Sequence, residues 1–596
     1  MKKAPLAEKF GARLLGTDRT RFRLWAPGQQ AVSVELDPGT AQASLVPMSA
    51  RREGWFEAEV ARGAGTRYRY RLADGTSVPD PASRMQDGDV HDASVVVDPA
   101  AYRWRNTRWR GRPWSEAVIY ELHVGAMGGF DGVRGHLPRL AELGVTAIEL
   151  MPIADFPGDR NWGYDGVLPY APDRAYGTPE SLKTLIDEAH GLGLMVFLDV
   201  VYNHFGPDGN YLHACAPSFF RDDVHTPWGP AIDFRRKPVR EFFTGNAAYW
   251  LHEYRFDGLR FDAVHAIAEQ DWLEEMAHAI RQATDRQRHV HLVIEHDGNA
   301  VSLLEHEFDA QWNDDGHHVL HRLLTGENQG YYRDYDDRPA ARLARCLAEG
   351  FVYQGEASAH RGGRHRGRPS AHLPPTSFVL FLQNHDQIGN RALGERLRTL
   401  VGARTQALRA AVALVLLAPQ IPLIFMGEEY GVKTPFLYFT CHGPELAGAV
   451  REGRRKEFES FPAFADEAAR AAIPDPNEAS TFEASRHGLF RETGDWYAYY
   501  RALLRCRREA LMPSLDATRS LWARALGDSG VEARWSLGDG RALAIAANFG
   551  DDAVAATTPG ATFALLFESR PGLARGLRQG VLDPMCTLAW TEAQIS

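Results

Sequence analysis

Cysteine is scarce in this chain, with five residues among 596, at positions 215, 346, 441, 506 and 586, and no two form a CxxC pair. Neither a disulfide framework nor a cysteine zinc site is suggested, and a reduced, cytoplasmic compartment is expected. Long apolar runs are missing as well. The longest, Ala410 to Ala418, stops at Pro419 and is far short of the roughly 20 residues that cross a bilayer. Lys2 and Lys3 are followed by no apolar core, so no secretory leader is expected. Basic residues do not dominate: 67 Lys and Arg against 77 Asp and Glu leave a formal charge of -10, which argues against nucleic acid or an anionic membrane as partner. Gly125 to Gly132 is glycine-rich but lacks the spacing of a dinucleotide-binding turn.

What is present divides into three stretches. Residues 1–98 alternate in short strands, as in Arg21 to Trp25, Ala31 to Leu36 and Tyr68 to Leu72, with turns between and no helical pattern, which predicts a β-sandwich. Residues 99–510 repeat strand, loop and helix, with eight strand-like runs near 117–123, 147–151, 195–202, 258–262, 291–295, 309–313, 378–383 and 421–426. That count predicts a (β/α)8 barrel, an α/β fold, with a doubly wound open sheet as the alternative. Residues 511–596 return to alternation and predict a second β-sandwich. Two insertions interrupt the barrel pattern. One, 205–236, is rich in aromatics, Pro and Gly; the other, 355–375, carries the basic run Arg361 to Pro369 and is read as a mobile surface segment. The 14 Trp and 20 Tyr could stack on sugar rings, although core and interface packing accounts for most such residues.

The ends of the predicted strands carry the chemistry. Gly258 to His265 is a short apolar strand that presents Asp262, with Arg260 on the same face two residues earlier. Such a pair is either a strand-end salt bridge or a nucleophile kept ionised by a cation. Other strands end at Asp199 to His204, at Glu295-His296-Asp297 and at Asn384-His385-Asp386. In a barrel those ends share one face, so Asp262, Glu295 and Asp386 would share one pocket. Two carboxyls across a glycosidic bond are what a glycosidase needs, one ionised and one protonated; a third can grip hydroxyls and help keep the acid protonated.

These segments, with Gln420 to Glu429 at the eighth strand, resemble the conserved regions of the α-amylase superfamily, glycoside hydrolase family 13, over about residues 115–510. Phe22 to Pro27 and Pro79 to Arg84 look like the entry and exit of the N-terminal module of isoamylases and glycogen branching enzymes. The resemblance implies a retaining mechanism with Asp262 as nucleophile, Glu295 as general acid/base and Asp386 as transition-state stabiliser. It places Arg260, His204 and His385 at the subsite before the bond, with His265 just beyond the fourth strand and Tyr164 stacked on the sugar. For Tyr164, packing on the barrel rim is the competing reading.

Within the superfamily, Asp155 to Gly166, Asp309 to Asp315 with His317 and His318, Pro435 to Thr440 and Val450 to Phe458 look most like the maltooligosyltrehalose trehalohydrolases. That resemblance implies hydrolysis of the α-1,4 bond beside a terminal trehalose, giving trehalose and a maltooligosaccharide. Trp312, Asn313, Asp314 and Asp315 are the candidates for reading the trehalose side, unless they only cap the next helix. Glycogen branching or debranching is the alternative activity, and an inactive carbohydrate-binding barrel the remote one. No cofactor is expected. In some superfamily members the residue matching Asn203 helps bind calcium, but no required metal is expected here.

Overall fold

The computed structural model describes residues 9–491 and 494–593. Its centre is a closed barrel of eight parallel strands: β1 (Ile119–Leu122), β2 (Ala147–Leu150), β3 (Met195–Val200), β4 (Gly258–Phe261), β5 (His291–Ile294), β6 (Ala310–Trp312), β7 (Phe378–Phe381) and β8 (Ile421–Phe425). Neighbours in sequence are neighbours in space, and β1 closes the ring on β8 by pairing Ile119 with Leu423. The open-sheet alternative is thereby excluded. Main helices between and after the strands are α1 (Gly129–Leu143), α2 (Pro179–Gly191), α3 (Lys237–His252), α4 (Asp271–Ala283), α5 (Asp314–Thr325), α6 (Pro339–Glu349), α7 (Thr405–Leu417) and α8 (Trp496–Cys506).

Local chemistry sets several boundaries. Thr178 opens α2 with a reciprocal capping box to Ser181 and Pro179 follows at the first turn. At the base of β4, Gly258 leaves room for its neighbours, since a Cβ there would stand 2.6 Å from the Phe197 ring and 2.9 Å from the His291 carbonyl. Alternation along the strands then sorts the barrel interior by height. Ile119, Ala147, Met195, Phe197, Val293, Ala310, Val379, Phe381, Ile421 and Leu423 form one buried apolar cluster. One step further along the same inward faces come Glu121, Glu149, Asp199, Arg260 and Glu295. Charge is therefore concentrated at the C-terminal mouth, and the apolar plug lies beneath it.

The N-terminal strands form two antiparallel sheets. One holds Gly11–Leu14, Thr20–Trp25, Trp55–Val60 and Ser49–Ala50; the other holds Ser44–Pro47, Val32–Leu36, Arg67–Leu72 and Ser77–Val78, with Ser94–Val95 beside Arg67–Leu72. Phe22 and Tyr68 meet across them at 4.8 Å between ring centroids, and Tyr68 and Tyr70 both donate to Asp80. At the C-terminal end, Arg519–Leu526, Gly530–Ser536, Arg541–Asn548, Cys586–Ala593 and Ala564–Glu568 make a five-stranded antiparallel sheet, with a separate pair, Val554–Ala555 and Val581–Leu582. One face of the large sheet packs on α6 and α7, where Trp535 donates to the Leu347 carbonyl at 3.3 Å. Leu526, Ala544, Leu588 and Trp590 pack with Leu577 and Leu582 in a separate apolar cluster. No helix among the described residues is long and apolar enough to cross a membrane.

Candidate active site

Arg260 is the hub of the barrel mouth. Its side chain is 1% exposed and lies over Trp312, 4.1 Å from the ring centroid. Its Nη1 donates to both Asp199 oxygens at 2.9 and 2.7 Å and to Asp262 Oδ1 at 2.9 Å, while Nη2 meets Glu295 Oε2 at 2.8 Å. Asn203 Nδ2 donates to the other oxygen of Asp262 at 3.2 Å. Directly after Asp262 the backbone turns through Ala263, whose φ of 40° is left-handed. Alanine there costs on the order of 1 kcal/mol. The turn aims the Ala263 N–H at Glu295 Oε2, 2.8 Å away.

Those contacts separate the two carboxyls chemically. Burial pushes Glu295 well above the usual carboxylate range; Arg260 pulls the other way, and Asp262, Asp386 and Asp314 add to the rise. Arg260 also contacts Asp199 and Asp262, so its downward pull on Glu295 is divided and the rise from burial prevails. Both donors to Glu295 reach Oε2, which leaves Oε1 as the oxygen free to carry a proton. The mouth thus offers one carboxyl paired with a cation and, next to it, a second that burial biases toward its protonated form, a pairing suited to glycosidic bond cleavage.

A second chain of bonds runs to β7. Asn384 caps the short helix His385–Gly389 that carries Asp386, and Asn390 Nδ2 donates to Asp386 Oδ1 at 2.7 Å. His385 pairs through Nδ1 with Glu121 and lies 2.8 Å through Nε2 from the Tyr164 hydroxyl, which itself donates to Asp199 at 2.6 Å. Burial alone would lower His385, but the Glu121 carboxylate raises it above the ordinary imidazole value. Tyr164 is half-buried and stacks on His385, with 5.1 Å between centroids. His204 is buried, with one nitrogen on Asn203 and the other on the Tyr164 carbonyl. His265 is exposed at the rim and accepts from the Asp297 N–H at 3.3 Å.

A cavity of about 370 Å³ opens beside Glu295 and Asp386. Of the four β6-end residues expected to read the leaving group, Asp314 lines it and three do not. Trp312 is 1% exposed, beneath Arg260. Asn313 is turned inward to cap α5 through the Gly316 N–H and to donate to the Gly350 carbonyl at 2.8 Å. Asp315 is fully buried and paired with Arg366. The expectation for those three is corrected for one reason: each already has a partner inside the protein, and none faces the cavity. The 355–375 segment is corrected too, since Arg366 fastens it to the barrel rather than leaving it as a solvated loop.

Sequence reasoning missed Tyr331, Asp334, His360, Arg361 and Arg364, which line the same cavity from segments with no strand-end signal. It also missed Trp228, 47% exposed on the hairpin of Phe220–Thr226 and Gly229–Ile232, whose ring lies flat on His204 at 4.6 Å. An aromatic in a Pro- and Gly-rich insertion was the available cue. Among the described residues no group of three or more His, Cys, Asp or Glu is arranged to hold a metal ion.

Comparison with known proteins agrees with this geometry. Residues 83–224 match the α-amylase catalytic domain, residues 9–101 carbohydrate-binding module 48 (the isoamylase N-terminal domain), and residues 518–590 a domain of unknown function, DUF3459. The malto-oligosyltrehalose trehalohydrolase of Deinococcus radiodurans is 41% identical over 89% of this chain and 90% of its own length. That of Saccharolobus solfataricus is 39% identical over 84% and 87%. A 1,4-α-glucan branching enzyme from Pseudoalteromonas atlantica is 33% identical, but over only 45% of this chain and 42% of its own. The crystal structure of a candidate α-amylase from Salmonella typhimurium superposes with a TM-score of 0.90 at 43% identity, covering 98% of this chain and 99% of that one.

Proposed function

Because the chain belongs to the malto-oligosyltrehalose trehalohydrolases of the α-amylase family, we propose that its barrel mouth hydrolyses the α-1,4 bond next to a terminal trehalose, releasing trehalose and a maltooligosaccharide. Asp262 attacks the anomeric carbon, and Glu295 Oε1 protonates the departing oxygen. A covalent glycosyl-enzyme forms, and water, deprotonated by Glu295, then resolves it with retention of configuration. Asp386 grips ring hydroxyls as positive charge develops on the sugar. The observation that carries this reading is the shared guanidinium. Asp262 and Glu295 sit on the two terminal nitrogens of Arg260, which supports the close spacing of about 5–5.5 Å that retaining enzymes use.

Arg260, His385, His204 and Tyr164 would shape the subsite before the bond, with His265 at its rim. Asp314 and the walls of the cavity beyond Glu295 would meet the trehalose unit. All five cysteines are free, which supports a reducing, cytoplasmic setting, while the names of the relatives support a place in trehalose production. Branching is the less favoured activity, since the branching-enzyme match covers under half of each chain.

Product analysis tests the reading, with maltotriosyltrehalose and maltopentaose offered separately. Trehalose plus maltotriose from the first, with slow attack on the second, is the expected outcome. Equal cleavage of both would reduce the activity to general amylolysis, and transfer into branched products would replace it.

A further inference from the structure

The basic stretch after Arg361 enters the protein instead of trailing over its surface. Arg366 has a side chain only 6% exposed and uses all three guanidinium nitrogens. Nε donates to the Asp297 carbonyl at 2.7 Å, Nη1 to Asp315 and to the Tyr335 hydroxyl at 2.8 Å, and Nη2 to Asn299 Oδ1 at 3.3 Å. Asp315 is equally saturated. It takes Arg366, the Tyr335 hydroxyl at 2.5 Å, the Val352 and Tyr353 N–H groups at 2.8 and 3.1 Å, and Asn299 Nδ2 at 3.0 Å. A planar fork met at every nitrogen fixes the loop in one position, which a lysine could not do.

What that loop carries is the cavity wall. His360, Arg361 and Arg364 face the same space as Asp297, Asp314 and Asp334. Arg361 pairs with Asp297, two residues after the acid Glu295, and Ser358 and the His360 N–H both donate to Asp334, at 2.5 and 2.8 Å. Basic and acidic side chains thus line this cavity together. Sugar hydroxyls both donate and accept, so such a wall reads ring orientation, provided its spacing is held to within about half an ångström.

We propose that Asp315 and Arg366 are positioning residues that lock the 355–367 loop as the leaving-group wall, and that this wall discriminates a trehalose unit from a linear maltose end. The proposal rests on the activity proposed above. Asp315 lies outside the cavity and Arg366 is among the residues that line it; the role given to both is to act through Arg361, Arg364 and His360.

The test compares Arg366→Gln with the parent protein on maltotriosyltrehalose and maltopentaose, and times tryptic cleavage after Arg361 and Arg364. The expected result is a roughly tenfold or larger fall in the ratio of kcat/KM for the capped over the linear substrate. The fall lies mainly in KM, with kcat on maltopentaose within about threefold and cleavage at both arginines faster. An unchanged ratio, or parallel losses on both substrates, would overturn the proposal. Should Arg366→Gln not fold, the double variant Asp315→Asn/Arg366→Gln, which buries no lone charge, carries the same comparison. A parent protein without preference for the capped substrate would sink the functional reading instead. In that case unchanged tryptic cleavage would still overturn the locking role, and faster cleavage would uphold it.

Discussion

At the scale of single residues, the division of labour between Asp262 and Glu295 comes from what surrounds each carboxyl. Replacing Glu295 by Gln removes the acid and should lower kcat on oligosaccharides by about 10²–10⁴. The loss should shrink on an α-glucosyl fluoride, whose leaving group needs little protonation. Equal losses on both substrates would take the acid's role away from Glu295. A subtler test concerns Asp314, which burial, with Asp386 and Asp315 adding to it, pushes up to about 7. Above that pH it is charged and helps hold the proton on Glu295. Asp314→Asn removes the charge, so Glu295 deprotonates more easily and the alkaline limb of kcat/KM moves to lower pH. A limb that stays put or moves up would show that Asp314 does not set it.

At the scale of elements, α5 begins where sequence reasoning was most divided. Asn313 could have been a ligand or a cap, and its side chain caps. Asn313→Ala should therefore cost about 1–2 kcal/mol of stability, read as a shift of the denaturant midpoint, with KM for the capped substrate little changed. A large KM effect with intact stability would restore it to the binding surface. The strand ends were legible because the informative residues stand side by side: Arg260 with Asp262, or Asn384 with His385 and Asp386, can be read without knowing the fold. The pairing of Asp315 with Arg366 spans 51 residues, and a run of arginines beside glycines carries the same composition as a solvated loop. Trp312 misled for a related reason. Its indole is apolar enough for a sugar platform, but its inward position in the barrel puts it under Arg260.

At the scale of the whole molecule, the buried carboxyls set a pH profile for stability. Burial raises Asp173 and Glu429 to about 7 and Glu428 to about 8. A carboxyl whose folded value lies above its unfolded value near 4 binds its proton more tightly when folded; the stability this contributes is lost as pH rises through the folded value. Glu327 behaves oppositely: against the upward push of burial, His321 and Arg391 hold it down to about 2, so its contribution disappears as pH falls toward that value. The thermal midpoint should thus decline as pH rises from about 4 to about 8 and level off above that, and it should also fall in strong acid. A midpoint that is flat or rising across the neutral range would contradict the sign for the first group. The architecture was legible because three kinds of periodicity follow one another along the chain. The closure of the ring has another consequence, for synthesis. Ile119 must wait for Leu423, roughly 300 residues later, which at 5–20 residues per second is about 15–60 s on the ribosome. Throughout that interval β1 has one edge without its final partner, while the N-terminal sheets, complete by residue 95, can already fold. The last barrel strand, and not the first, decides when the catalytic mouth comes into being.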